Sequence, residues 1–127
     1  MRREMLRAKI HRATVTDTNV EYEGSLTIDA DLLRAGGFLP YERIDVYNVG
    51  NGARFSTYVI EGEPGSGTIG VNGAAARLAS PGDRIIIAAY ATFEERDLAG
   101  YRPVVVFVDR HNRIKVLDTV EAAIDRR

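Results

Sequence analysis

The 127-residue sequence contains no cysteine. That absence excludes disulfides, thiolate nucleophiles and cysteine-ligated metals, and it accords with a reducing cytoplasm. Lysine is nearly as scarce: of the 17 basic residues only Lys9 and Lys115 are lysines, the others being arginines. Amine chemistry is thereby confined to very few positions. Neither sign of charge predominates, and a net charge of −1 gives no global field that would draw the chain to nucleic acid or an anionic membrane. Long apolar runs are missing too. The longest, Ile85 to Ala91, is far short of the roughly 20 residues a spanning helix needs. The opening MRREMLRAKIHRATV is charged from its start and lacks the apolar segment of a signal peptide. A soluble cytoplasmic protein is expected. The two histidines, His11 and His111, have no clustered acids around them, so no metal site is expected either.

What is present suffices for one domain. An apolar fraction of 45% supplies a core, a charged fraction of 28% solvates a surface, and neither points to disorder. No repeat or linker divides the chain. Leu6, Ala8 and Ile10 alternate with Arg7, Lys9 and His11, the period of a half-buried strand. Ser25 to Ile28 reads as a second strand, after Tyr22-Glu23-Gly24. Asp29 or Asp31 then caps a short helix through Leu32, Leu33 and Ala35 that stops at Gly36-Gly37.

Ile44 to Val49 and Ala53 to Ile60 form a hairpin around Gly50-Asn51-Gly52. Gly62 to Gly67 is a turn before a short strand, Thr68 to Val71, and Gly73 to Ala76 reads as one helical turn. Ser80-Pro81-Gly82-Asp83 turns the chain into the apolar strand Ile85 to Tyr90. Val104 to Val108 and Arg113 to Leu117 make a last hairpin around His111-Asn112. Many short strands with one or two short helices predict a small closed β-barrel over residues 1–118, with 119–127 a flexible tail.

Taken alone, Tyr22-Glu23-Gly24-Ser25 is only a turn sequence. Its company changes its meaning. Met5-Leu6-Arg7-Ala8-Lys9-Ile10-His11-Arg12, Tyr22-Glu23-Gly24-Ser25, Asn48 to Tyr58 (NVGNGARFSTY) and Val71-Asn72-Gly73-Ala74-Ala75-Ala76 occur in order and at matching intervals. In these blocks the chain resembles the pyruvoyl-dependent aspartate 1-decarboxylases, over about residues 1–110. The resemblance implies a six-stranded double-psi β-barrel, a homotetramer with active sites between subunits, and self-cleavage after Gly24 into chains 1–24 and 25–127. Ser25 would become a covalent pyruvoyl group. The implied reaction converts L-aspartate to β-alanine and CO2 through a Schiff base and feeds pantothenate and coenzyme A biosynthesis. A maturation factor is left open as a partner.

The residue types suit that chemistry. α-Decarboxylation needs an electron sink conjugated to the substrate amine. Pyridoxal phosphate would require a Schiff-base lysine and a phosphate cradle, neither well represented here, so none is expected. In the self-cleavage the Ser25 hydroxyl attacks the Gly24 carbonyl, and glycine at 24 admits strained angles and close approach.

The resemblance nominates Thr57 as the donor to that carbonyl and as a substrate contact, and Tyr58 as the proton donor to the α-carbon. It also brings Lys9 close to the substrate. Arg54, a fork able to hold both carboxylate oxygens, is the candidate clamp for the substrate side chain. Asn72 and the amides of Gly73, Ala74 and Ala75 are candidate contacts to substrate oxygens. His11 and Tyr22 support the site. Arg54 and Tyr58 share a strand face about 13 Å apart, with Thr57 on the other face. One compact site needs converging side chains, a distorted strand or a neighbouring subunit.

Two rival readings remain at this level. A non-enzymatic barrel binding DNA through Arg2, Arg3, Arg7, Lys9 and Arg12 lacks interleaved stacking aromatics. A decarboxylase of the same fold acting on glutamate differs by one methylene, worth only about 1–3 kcal/mol in a pocket.

Overall fold

The computed structural model describes residues 1–118; the expected tail, 119–127, lies outside them. The architecture is mainly β. Strand β1 (Arg2–Thr14) is followed by β2 (Asp17–Asn19), β3 (Ser25–Asp29), helix α1 (Ala30–Gly36), β4 (Arg43–Asn48) and β5 (Arg54–Gly62). Strand β6 (Ile69–Asn72) runs into a 3-10 turn at Gly73–Arg77, and β7 (Arg84–Glu94), β8 (Val104–Val108) and β9 (Ile114–Asp118) complete the described chain. The strands form one mixed sheet in the order β2-β6-β3-β5-β4-β7-β1-β8-β9. Parallel pairs β1/β8, β2/β6 and β3/β5 stand among antiparallel ones, consistent with the double-psi barrel implied by the sequence.

Local chemistry accounts for these elements. In β1, Ala8 and Ile10 are fully buried while Lys9 and His11, which alternate with them, are half-buried, as a period of two requires. The strand bulges between Leu6 and Ala8 and again between Ile10 and Ala13, where Arg12 takes φ 62°. Asp29, rather than Asp31, caps α1: its Oδ1 accepts from the Asp31 amide at 2.8 Å. Gly37, at φ 69°, closes the helix by donating its N–H to the Arg34 carbonyl.

The Gly50-Asn51-Gly52 turn joins β4 to β5, with Asn48 Oδ1 accepting from the Gly50 amide at 2.9 Å. Ile10, Leu26, Ile28, Leu32, Ile44, Val59, Ile69, Ile85 and Ile87 fill one core. Each such side chain contributes about 1.5–3 kcal/mol on leaving water.

Candidate active site

The candidate cleavage point lies where β2 passes into β3. Both strands pair with β6, one on each side, and both Asn19 and Ser25 stand opposite Asn72. The connection between them must therefore cross the end of β6. Gly24 is exposed in this crossing, whereas Ser25 is fully buried. Leu26 and Ile28 point into the core, so alternation turns Ser25 and Thr27 to the opposite face of β3.

There Asn72 Nδ2 donates to Ser25 Oγ and to Thr27 Oγ1, both at 3.0 Å. Ser25 Oγ donates to the Glu23 carbonyl, also at 3.0 Å. The hydroxyl is thus held between the backbone just upstream of Gly24 and one amide side chain. Thr27, which anchors the same amide, was not foreseen from sequence, because nothing local marks a cross-strand hydrogen bond.

Steric demand falls elsewhere than expected. A Cβ built on Gly24 would meet nothing within 4 Å, and Gly24 does not adopt a left-handed backbone. The demanding position is Gly73, at φ +75°. A Cβ there would lie 2.5 Å from Gly24 Cα and 2.7 Å from Gly24 N. Of the neighbouring candidates, Ala74 is exposed and Ala75 is half-buried against the core.

Tyr58 reaches this region. Strands β3 and β5 run parallel with Leu26 level with Val59, so Ser25 and Tyr58, each one residue earlier, share a face. Tyr58 lines an open cavity of about 380 Å³ with Tyr22, Glu23 and Tyr41, the last unsuspected from sequence. The Tyr41 and Tyr58 rings stand 6.3 Å apart between centroids, and Tyr41 adopts φ 71°. Thr57 pairs with buried Ile44 and shares the inward face of β5 with Phe55 and Val59. It points away from the face of Ser25.

Arg54, Lys9 and His11 are not gathered around Ser25 in one protomer. Arg54 stacks on Tyr47, its guanidinium carbon 4.2 Å from the ring centroid, and lines a separate cavity of about 310 Å³ with Asp45 and Ser56. Tyr47 in turn shares a hydrogen bond of 2.8 Å with the Tyr90 hydroxyl. That bond, with burial second, pushes the Tyr90 pKa up to about 12. Lys9 lies level with Ala88 and Val105. The His11 ring packs edge-on against Phe107 at 5.5 Å. Among the described residues no group of three or more His, Asp or Glu could hold a metal ion, and no helix is long and apolar enough to cross a membrane.

Residues 1–115 match the family described as aspartate decarboxylase. The chain is similar to the aspartate 1-decarboxylase of Hydrogenobaculum sp. (strain Y04AAS1), 60% identical over 114 residues that cover 90% of each chain. It is also similar to that of Ralstonia nicotianae, 54% identical over 120 residues, 94% of this chain and 100% of the relative. The aspartate 1-decarboxylase of Maricaulis maris is 54% identical over 114 residues, 90% of this chain and 94% of that one. Fold, serine turn and relatives together define a decarboxylase. The chain belongs to the aspartate decarboxylase family.

Proposed function

We propose that this chain is an L-aspartate 1-decarboxylase that makes its catalytic carbonyl from its own backbone at Gly24–Ser25. The observation that carries the proposal is the setting of Ser25. Its hydroxyl is buried beside the exposed Gly24, accepts a hydrogen bond from the Asn72 amide, and donates one to the Glu23 carbonyl. A hydroxyl so fixed, in a turn of the family's cleavage sequence, suits attack on the adjacent carbonyl.

In that reading Ser25 Oγ bonds to the Gly24 carbonyl carbon and the Gly24–Ser25 C–N bond breaks, giving an ester and a free amine. Loss of the Ser25 α-proton with cleavage of the Oγ–Cβ bond then leaves Gly24 as a carboxylate. Water replaces the resulting enamine nitrogen, ammonia leaves, and residue 25 ends as pyruvoyl. No oxidant is required.

The residues present fit such a group: Ser25 is the first residue of β3, and the cavity lined by Tyr22 and Tyr58 opens beside the cut. When formed, the group supplies a ketone able to take up the electron pair that CO2 leaves behind. Tyr58, on the face of Ser25, is the candidate to hold and deliver the proton at the substrate α-carbon, and β-alanine is the product. Asn72 and the Gly73, Ala74 and Ala75 amides are the candidate contacts to substrate oxygens.

Arg54 would hold the side-chain carboxylate, because clamping the departing one would stabilise the ground state and oppose reaction. Its separation from Ser25 within one protomer, in a cavity distinct from the one beside the cut, favours a homotetramer with each site completed by a neighbour. Relatives named for aspartate favour it over glutamate as substrate, and family membership weighs against a DNA-binding module. The proposed product would feed pantothenate and coenzyme A biosynthesis.

Intact mass spectrometry of the purified chain, followed by assay with aspartate and glutamate, tests the reading. Two fragments parting after Gly24, a longer fragment without a free amine, and faster β-alanine release than glutamate turnover are expected. A single uncut mass with full activity refutes it. Cutting by the chain alone would dispense with a maturation factor.

A further inference from the structure

We propose that Gly73 is a positioning residue for self-cleavage: its left-handed, side-chain-free backbone forms the surface on which the scissile Gly24 is laid. This inference rests on the proposed function and assigns Gly73 a task before any substrate is bound. The argument starts from topology. Asn19 on β2 and Ser25 on β3 stand opposite the same residue, Asn72, on the two sides of β6. The intervening residues must cross the end of β6, two interstrand spacings or roughly 10 Å, and return at once into pairing.

The chain leaving β6 cannot continue straight without running into this crossing. Gly73 takes φ +75° and opens a 3-10 turn instead. Its backbone then lies directly under the crossing. A Cβ on it would stand 2.5 Å from Gly24 Cα, 2.7 Å from Gly24 N and 3.2 Å from the Tyr22 carbonyl oxygen. All three neighbours are backbone, and two belong to the residue whose carbonyl is attacked.

Displacement of Gly24 is what any side chain at 73 would enforce. Ser25 would stay behind, pinned by its ladder to Asn72 and by the Asn72 amide on Oγ. A methyl group here would therefore move the carbonyl relative to the hydroxyl. In reactions that depend on such alignment, about 1 Å of misplacement can cost roughly 100-fold in rate.

The experiment follows cutting of freshly synthesised full-length chains by intact mass, with folding stability read separately in the non-cutting Ser25→Ala background. Gly82 supplies the control: it also has positive φ, +96°, but a Cβ there meets nothing within 4 Å. Gly82→Ala should share the backbone strain and cut at the parent rate. Gly73→Ala should cut about 10- to 100-fold more slowly. Gly73→Asn should be as slow, since asparagine tolerates the left-handed region yet still carries a Cβ. It also carries the test should Gly73→Ala not fold.

Parent-rate cutting by Gly73→Ala or by Gly73→Asn overturns the inference, as does loss of folding in both, which would make the role one of the fold alone. Slowing of Gly82→Ala by the same factor overturns it as well. A parent chain that never cuts removes the proposed function instead, so the two failures are distinguishable.

Discussion

Arg54 lies flat on Tyr47, its guanidinium carbon 4.2 Å from the ring centroid, and the Tyr47 hydroxyl is itself tied to Tyr90 at 2.8 Å. The fork is therefore supported along one face while its N–H edge stays available for a carboxylate. A lysine cannot reproduce a planar fork or its stacking. Arg54→Lys should raise KM for aspartate by at least about tenfold, the loss expected when one charge-assisted hydrogen bond disappears. Self-cleavage should proceed as in the parent, because Arg54 lines a cavity distinct from the one that Tyr22, Glu23 and Tyr58 form beside the cut. Intact mass and steady-state rates check both halves. An uncut Arg54→Lys chain would contradict the separation.

The same stack carries a pH signature. The hydrogen bond to Tyr47 is the leading cause that pushes Tyr90 up to about 12, and burial adds to it. The folded value lies above the unfolded value of about 10, so the protonated hydroxyl supports the fold. That support is fully present below about pH 10 and is lost as pH rises through about 12. Ultraviolet titration of tyrosinate should show Tyr90 ionising late. Tyr101, raised by burial, should be late as well. Tyr47→Phe should return Tyr90 towards ordinary behaviour and leave Tyr101 late; an unchanged titration would show that Tyr47 is not the cause.

Removal of the Ser25 hydroxyl separates maturation from folding. Ser25→Ala should give one intact mass and no β-alanine. The fold should lose only about 1 kcal/mol, the net value of an ordinary hydrogen bond, because Asn72 still donates to Thr27. Urea denaturation and intact mass measure the two effects on one sample. Any β-alanine formed at parent speed would exclude Ser25 as the source of the catalytic group.

Legibility from sequence followed the range of the interaction. The β1 alternation, the Gly50-Asn51-Gly52 hairpin and the stop of α1 at Gly37 were readable, since each depends on residues close in the chain. Strand β2 was not. Its three residues, Asp17, Thr18 and Asn19, have no buried member and hence no periodicity to detect.

The 3-10 turn at Glu95–Asp97 escaped for the same reason. At the candidate site, the blocks that carry the family resemblance were visible, but their spatial grouping was not. Pairing of β3 with β5 and β6 brings Tyr58 and Asn72 beside Ser25. Those parallel and crossover registers leave no local mark. Gly24 was read as admitting close approach of the attacking oxygen; the close backbone contact at Gly73, 49 positions away, is visible only once β2 and β3 flank β6.

Asp29 shows how much of the fold can converge on one buried carboxylate. Sequence left Asp29 and Asp31 as equal candidates to cap α1, and position decides between them. Asp29 is 2% exposed; Oδ1 accepts from the amides of Asp31 at 2.8 Å and Gly65 at 3.0 Å, and Oδ2 from that of Gly67 at 2.8 Å. One side chain thus fixes the start of the helix and the turn that leads into β6. Asp29→Ala would leave three backbone donors without this acceptor, and the expected loss is about 3 kcal/mol. Asp29→Asn keeps a single carbonyl oxygen and puts a donor where the second acceptor was, so it should fall between the two. Urea midpoints in the Ser25→Ala background, where every molecule is the same uncut species, give the comparison. A loss under about 1 kcal/mol for Asp29→Ala would mean that water satisfies those amides and that the turn does not depend on Asp29.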